Sequence, residues 1–249
     1  MGKFAVFVLG PAGSGKSTLC YHLQEHVKAI SRPVHFINLD PAADSFKYDV
    51  SWDIRDCISV DDVMEELGYG PNGGLMYAME YLLKDMEWFR DQMGDFNDDF
   101  VVFDCPGQIE LYSHMNVMPT IMSELDRMGY RLCILYCMDA IFTSSRSRFI
   151  SGSMMCLSAM VQLQYAHINI ITKCDLIEDK TQLHELLDMS SEDLLYSFKV
   201  DEDSPYSKLT LQIANLLNMY SMVNYLPMNI TDSDSISTIL SHIDHILQF

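Results

Sequence analysis

The segment Gly10-Pro11-Ala12-Gly13-Ser14-Gly15-Lys16-Ser17 fits the pattern G-x-x-x-x-G-K-[ST] without a mismatch. It follows an apolar run, Phe4 to Leu9, and opens a stretch with helical periodicity through Leu19, Leu23 and Val27. Strand, glycine-rich turn and helix in that order make a loop whose backbone N–H groups and helix N-terminus wrap a phosphate. Gly13, Ser14 and Gly15 form the cradle, Lys16 reaches the outer phosphates, and Thr18 completes the binding segment. The Ser17 hydroxyl is a candidate Mg²⁺ ligand.

Such a loop belongs at the end of a buried strand. Further runs rich in Val, Ile and Phe lie at Val34 to Leu39, Phe100 to Phe103, Leu132 to Cys137 and Ile168 to Ile171, with helical stretches between them. Runs without polar/apolar alternation predict strands covered on both faces. The expected fold is therefore α/β, a three-layer sandwich around a mostly parallel central sheet with helical insertions. Val223 to Met228 reads as a sixth strand. Asp234 to Phe249, with Ile236, Ile239, Leu240, Ile243 and Ile246 on one face, reads as a closing helix. No Pro-, Gly- or Ser-rich linker interrupts the chain, so one domain is expected over residues 1–249. Two regions exceed a minimal sheet, around 44–92 and a helical insertion around 179–220. The first contains Gly68-Tyr69-Gly70-Pro71-Asn72-Gly73-Gly74, whose turn residues mark an exposed loop between two helices. The second carries Glu192, Asp193, Asp201, Glu202 and Asp203, read as a solvated face.

Composition narrows the partners. Lys and Arg number 16 against 35 Asp and Glu, a formal charge of −19. Nucleic acid and anionic membrane both need a positive footprint, so neither is an expected partner. No apolar run approaches the roughly 18 residues that cross a bilayer, and Met1-Gly2-Lys3-Phe4 leads straight into a strand. A soluble, cytoplasmic protein is expected. Seven cysteines, an odd number without a C-x-x-C pair, read as free thiols in a reducing compartment.

Acidic residues cluster where strands end. Asp104 closes Phe100-Val101-Val102-Phe103 and precedes Cys105-Pro106-Gly107-Gln108, so it is placed to hold a metal shell while Gly107 offers a flexible amide to a γ-phosphate. Asp40, in Asn38-Leu39-Asp40-Pro41-Ala42, belongs to the same carboxyl edge, as a candidate for metal or water positioning. Thr172-Lys173-Cys174-Asp175 follows the strand Ile168 to Ile171. A carboxylate at Asp175 accepts from both N1–H and the exocyclic amine of guanine, whereas adenine has a lone pair in place of N1–H. The stem of Lys173 would pack along the base. Asn72 is open to two readings from the residues alone: a helix cap near Leu75, or an amide that presents donors to a phosphate.

The phosphate loop, Asp-x-Pro-Gly-Gln, Thr-Lys-x-Asp and an exposed Gly70-Pro71-Asn72 together resemble the GPN-loop GTPases, over essentially the whole chain. The length is most similar to the third eukaryotic paralogue, and next to the second. The resemblance implies GTP hydrolysis to GDP and phosphate, and Ser17, Asp104 and Asp40 stay the candidates for holding Mg²⁺, with Asp40 open between metal and water. It implies a dimer, with itself or a paralogue, in which the GPN loop of one subunit reaches the other's active site. Asn72 would then contact the γ-phosphate, while Asp40, Gln108 and Glu110 orient the attacking water. It also implies a role with RNA polymerase II subunits, in assembly and nuclear import, hence shuttling between cytoplasm and nucleus. Thr172 stands where many GTPases carry Asn, and Pro227 to Thr231 lacks a Ser-Ala base contact.

Two other classes share the phosphate loop. A kinase would pass the γ-phosphate to a small molecule or polynucleotide beneath an arginine-bearing lid, which Arg146 and Arg148 do not obviously supply. A binding module would keep its nucleotide without turnover, and the set Asp40, Asp104, Gln108 and Glu110 argues against that.

Overall fold

A computed structural model describes residues 2–94, 96, 100–177, 212–213, 215–216 and 225–249. Its centre is a seven-stranded sheet: β1 (Lys3–Leu9), β2 (His35–Asn38), β3 (Trp52–Asp53), β4 (Phe100–Asp104), β5 (Tyr130–Asp139), β6 (Ala166–Thr172) and β7 (Tyr225–Pro227). The order across the sheet is β3-β2-β4-β1-β5-β6-β7. Every pairing is parallel, so the expectation of a mostly parallel sheet is met in full among the described strands.

The lack of alternation in the strands has the expected cause. Ala5, Phe7 and Leu9 of β1 face one apolar core, and Phe4, Val6 and Val8 face another. The first core lies under α3 (Pro71–Lys84), α4 (Met86–Gly94), α6 (Val117–Arg127) and α7 (Arg146–Leu163). The second lies under α1 (Lys16–Ala29) and the closing helix α8 (Ser233–Leu247), which presents Ile236, Ile239, Leu240 and Ile243 as expected. Burying both faces of each central strand removes several aliphatic side chains per strand from water, at about 25 cal/mol per Å².

The sequence reading missed β3. Two residues make no recognisable run, and the strand exists through the pairs Ile37 with Trp52 and Asn38 with Asp53. Trp52 is anchored from behind by Trp88, with ring centroids 5.2 Å apart. The expected sixth strand appears as Tyr225–Pro227, while 223–224 fall outside the described residues. The helical insertion around 179–220 also lies outside them, apart from four helical positions at 212–213 and 215–216.

Helix α2 (Val60–Leu67) begins at Ser59, whose Oγ accepts from Asp62 N–H at 3.1 Å, and it ends at Gly68 in the left-handed region, φ 68°. Gly70 then caps α3 and Pro71 occupies its first position, where the missing N–H costs nothing. The helix expected near Leu75 therefore starts at Pro71. Asn72 lies inside its first turn and is exposed rather than acting as its cap.

Candidate nucleotide site

Parallel pairing brings one set of strand ends to one edge. The register sets Val8 beside Asp104, Asn38 beside Asp104, and Asp139 beside Thr172. The sheet's order reverses around β1, and the glycine-rich loop leaves from its end, where ligands of open α/β sheets bind.

The loop needs its glycines. Gly10 has φ 140°, and a Cβ there would collide with the Cys137 carbonyl oxygen and lie 2.8 Å from Ser14 Oγ. Gly15, at φ 89°, caps α1. The buried Lys16 folds its ammonium onto the Gly10 and Pro11 carbonyls at 3.1 and 3.0 Å, inside the loop. Ser17 and Thr18 are exposed at the start of α1.

Gly107 is in contact with this loop. A Cβ on it would lie 2.7 Å from Ala12 Cα and 2.9 Å from Ala12 N, so only glycine lets the turn after β4 approach so closely. Gln108 follows, and its Nε2 donates to Asn72 Oδ1 at 2.9 Å. Glu110 opens α5 (Glu110–Ser113) and is exposed.

Three buried polar atoms on this edge have no hydrogen-bond partner within range among the described residues: Ser14 Oγ, Asp104 Oδ1 and Asp175 Oδ1. Such atoms cost roughly 1–3 kcal/mol each unless something satisfies them. In the sheet order β4-β1-β5-β6, Ser14 in the loop after β1 lies between Asp104, which ends β4, and Asp175, which follows β6.

Burial pushes the Asp104 carboxyl above its usual range and Asp40 adds to this, against the Ser17 and Tyr48 hydroxyls and the Lys16 charge. Burial likewise raises Asp40, against the Ala42 N–H and the Lys16 and Arg55 charges. Asp104 Oδ1, buried without a partner among the described residues, is the oxygen open to a cation, and the Ser17 hydroxyl lies beside this carboxyl. No group of three or more His, Cys, Asp or Glu gathers among the described residues. A shell with one or two carboxylates, a hydroxyl and phosphate oxygens suits Mg²⁺.

Sequence reasoning missed three residues here. Buried Asn38 holds the Asp40 turn by accepting from Asp40 N–H at 2.9 Å, and its amide donates to Asp40 O at 2.9 Å and Asp53 Oδ1 at 2.8 Å. Arg55 bonds Asp53 Oδ2 at 2.6 Å and Ala43 O at 2.7 Å, and its charge reaches Asp40. Tyr48, nearly buried, donates from its hydroxyl to Asp104 Oδ2 at 2.8 Å. Tyr48 meets Asp104 across 56 residues, and Asn38 and Arg55 are drawn together through Asp53, which no local pattern announced.

At the base end, Thr172 Oγ1 donates to Ser14 O at 2.6 Å and lies 3.2 Å from Met138 O. The residue in place of Asn thus ties β6 directly to the phosphate loop. Lys173, at φ 60°, reaches Asp139 with Nζ 2.6 Å from Oδ2. Met228 N–H donates to Ile171 O at 2.7 Å and Cys174 N–H to Met228 O at 3.1 Å, which brings the 227–231 segment beside Asp175. There Asn229 Oδ1 accepts from Thr231 N–H at 2.9 Å and from Thr231 Oγ1 at 2.7 Å.

Comparison with known proteins gives the family. A protein of Dictyostelium discoideum named GPN-loop GTPase 3 is 45% identical over 252 residues, covering 100% of this chain and 88% of that protein. The chain belongs to the GPN-loop GTPases. The protein of the same name from Saccharomyces cerevisiae is 44% identical, over 100% of this chain and 93% of its own length. Residues 8–249 match the family described as "Conserved hypothetical ATP binding protein". Among solved structures, a GTPase from Pyrococcus abyssi in apo form superposes with a TM-score of 0.86 at 20% identity, over 98% of this chain and 97% of that one, which shows the shared fold. In this family setting Gly70-Pro71-Asn72 is the GPN loop, and its asparagine is the residue hydrogen-bonded to Gln108.

Proposed function

We propose that this chain, a GTP hydrolase by family, works as a nucleotide-dependent dimer that assists assembly and nuclear import of RNA polymerase II. The observation that carries the guanine reading is Asp175 Oδ1, buried and unpartnered among the described residues. A carboxylate here offers acceptors to guanine N1–H and its amine, and it would face a lone pair in adenine. The family description speaks of ATP, and this carboxylate favours guanine instead.

The chemistry is attack of water on the γ-phosphate, giving GDP and phosphate. Lys16 neutralises charge on the outer phosphates. Ser17, Asp104 and Asp40 would hold Mg²⁺, which supplies further charge neutralisation at the phosphates. Asp40, Gln108 and Glu110 orient the water, and the Asn72 amide adds donors for the developing charge. Positioning and electrostatics carry the reaction, since no covalent step by the protein is needed.

The dimer reading draws support from the exposure of Gly70, Pro71 and Asn72 and from two flanking apolar side chains, Leu67 and Tyr69, 49% and 48% exposed. The polymerase role and shuttling between cytoplasm and nucleus follow from the family resemblance. Among the described residues no helix is long and apolar enough to cross a membrane.

Identifying the nucleotide that co-purifies and weighing the particle with GDP and with a GTP analogue tests both parts. Guanine nucleotide and a nucleotide-dependent dimer are expected. Adenine nucleotide, or a monomer in both states, contradicts the reading. Depletion of the protein is expected to leave polymerase subunits in the cytoplasm, and unchanged nuclear import overturns the client role.

A further inference from the structure

The turn after β2 reaches back to the metal position through one side chain. Tyr48 is 5% exposed, and its hydroxyl donates to Asp104 Oδ2 at 2.8 Å, while the other carboxylate oxygen is buried without a partner among the described residues. The terminal torsion of an aspartate is broad and roughly two-fold, so an unheld carboxylate presents either oxygen in a range of directions. A hydrogen bond to one oxygen removes that freedom. We infer that Tyr48 is a positioning residue for the Mg²⁺ site: it turns the Asp104 carboxylate so that Oδ1 is presented to the cation. This inference rests on the reading of Asp104 as a metal ligand.

Tyr48 is itself fixed. The next residue, Asp49, has its main chain clamped by the buried Gln24 side chain, which donates to Asp49 O and accepts from Asp49 N–H, both at 2.8 Å. Lys28 Nζ adds a bond to Asp49 Oδ2 at 2.6 Å. Phe36 and Phe46 flank the Tyr48 ring, with centroids 5.8 and 5.3 Å away. Gln24 and Lys28 both lie on α1, the helix whose first turn carries Lys16 and Ser17. One helix therefore provides the phosphate-binding ammonium, the candidate metal hydroxyl and the brace for Tyr48.

Two effects of the phenol oppose each other. Donating to Oδ2 draws charge from the carboxylate and weakens its bond to a cation, whereas fixing its orientation strengthens it. Outer-shell partners of metal-ligating carboxylates, when removed, typically cost about 10–100-fold in metal affinity, so orientation is the larger effect.

The test is a Mg²⁺ titration of fluorescent GDP retention by the full chain, for wild type, Tyr48→Phe, Asp104→Asn and the double variant, repeated in chelator. Tyr48→Phe is expected to raise the Mg²⁺ midpoint about 10-fold or more while changing affinity in chelator less than about two-fold. In the Asp104→Asn background it should add no further shift. Gln24→Ala, which keeps the phenol but removes the brace, should move the midpoint the same way by a smaller factor. A Tyr48→Phe midpoint equal to wild type, or a loss of the same size in chelator, overturns the positioning role. If Asp104→Asn itself leaves the midpoint unmoved, the metal-ligand reading fails and the positioning role falls with it. If Asp104→Asn shifts it and Tyr48→Phe does not, only the positioning role fails.

Discussion

Gln108 Nε2 donates to Asn72 Oδ1 at 2.9 Å, joining the turn after β4 to the first turn of α3 within a single chain. The contact uses the acceptor end of Asn72 and leaves its amide nitrogen with two donors for a phosphate. In the proposed dimer, Asn72 would serve either its own subunit's site or that of the partner. Asn72→Ala is expected to leave GTP affinity within a few-fold and lower hydrolysis by roughly 10² or more, the usual scale for a transition-state donor. Mixing separates the two arrangements. A dimer of one Asn72→Ala subunit and one Asp104→Ala subunit has one complete site if the loop acts across the interface, and recovery of phosphate release is expected. A mixed dimer as slow as the Asn72→Ala dimer places the loop's action within its own chain.

Thr172 joins β6 to the phosphate loop through Ser14 O. Thr172→Val removes that donor at nearly constant volume and leaves a buried carbonyl less satisfied. A loss of about 1–3 kcal/mol in unfolding free energy is expected by denaturant titration, with faster GDP release. Unchanged GDP release would separate Thr172 from the nucleotide site.

Gly107 lies against the Ala12 backbone, so Gly107→Ala forces two main-chain segments apart. GDP binding should weaken, since the displaced Ala12 backbone belongs to the phosphate loop. Hydrolysis should fall by an order of magnitude or more, on the scale of a misplaced catalytic segment. Single-turnover phosphate release measures it, and a wild-type rate would show that the turn after β4 yields without consequence.

The two raised carboxylates give a pH prediction for nucleotide-free protein. Asp104 titrates from an ordinary value of 3.8 when unfolded and from a higher value when folded, so the folded state binds more protons between those values. Stability from this group is therefore lost as pH rises through that window. Asp53 runs the other way. Burial disfavours its charge, but hydrogen bonds from Arg55 and Asn38 hold its carboxyl below the usual range, and the stability it gives is lost as pH falls. A difference measurement isolates Asp104. Nucleotide-free Asp104→Asn should melt above wild type at neutral pH, and the gap should close toward acid. A gap that does not change with pH contradicts the assignment.

The phosphate loop, Asp40, Asp104, Gly107 and Asp175 were legible because each sits in a short contiguous pattern at a strand end. The sheet was legible because its strands are buried on both faces and read as unbroken apolar runs. What was not legible depends on partners distant in sequence. Tyr48 meets Asp104 across 56 residues, and β3 exists only through its pairing with Ile37 and Asn38. Arg55 could not be placed near Asp40 before the Asn38–Asp53 bond fixed the turn between them. The start of α3 at Pro71 was available in principle, since proline favours a helix's first position.

In the proposed function this edge binds and hydrolyses a guanine nucleotide read by Asp175. The most direct test compares phosphate release from GTP, ATP and xanthosine triphosphate by wild type and Asp175→Asn. Wild type should favour GTP. Asp175→Asn should lose GTP affinity by about two decades, roughly 2–3 kcal/mol, and gain affinity for xanthosine triphosphate, whose 2-oxo group accepts from the new amide. Equal use of ATP and GTP by wild type, or an Asp175→Asn protein with unchanged preference, would contradict the account.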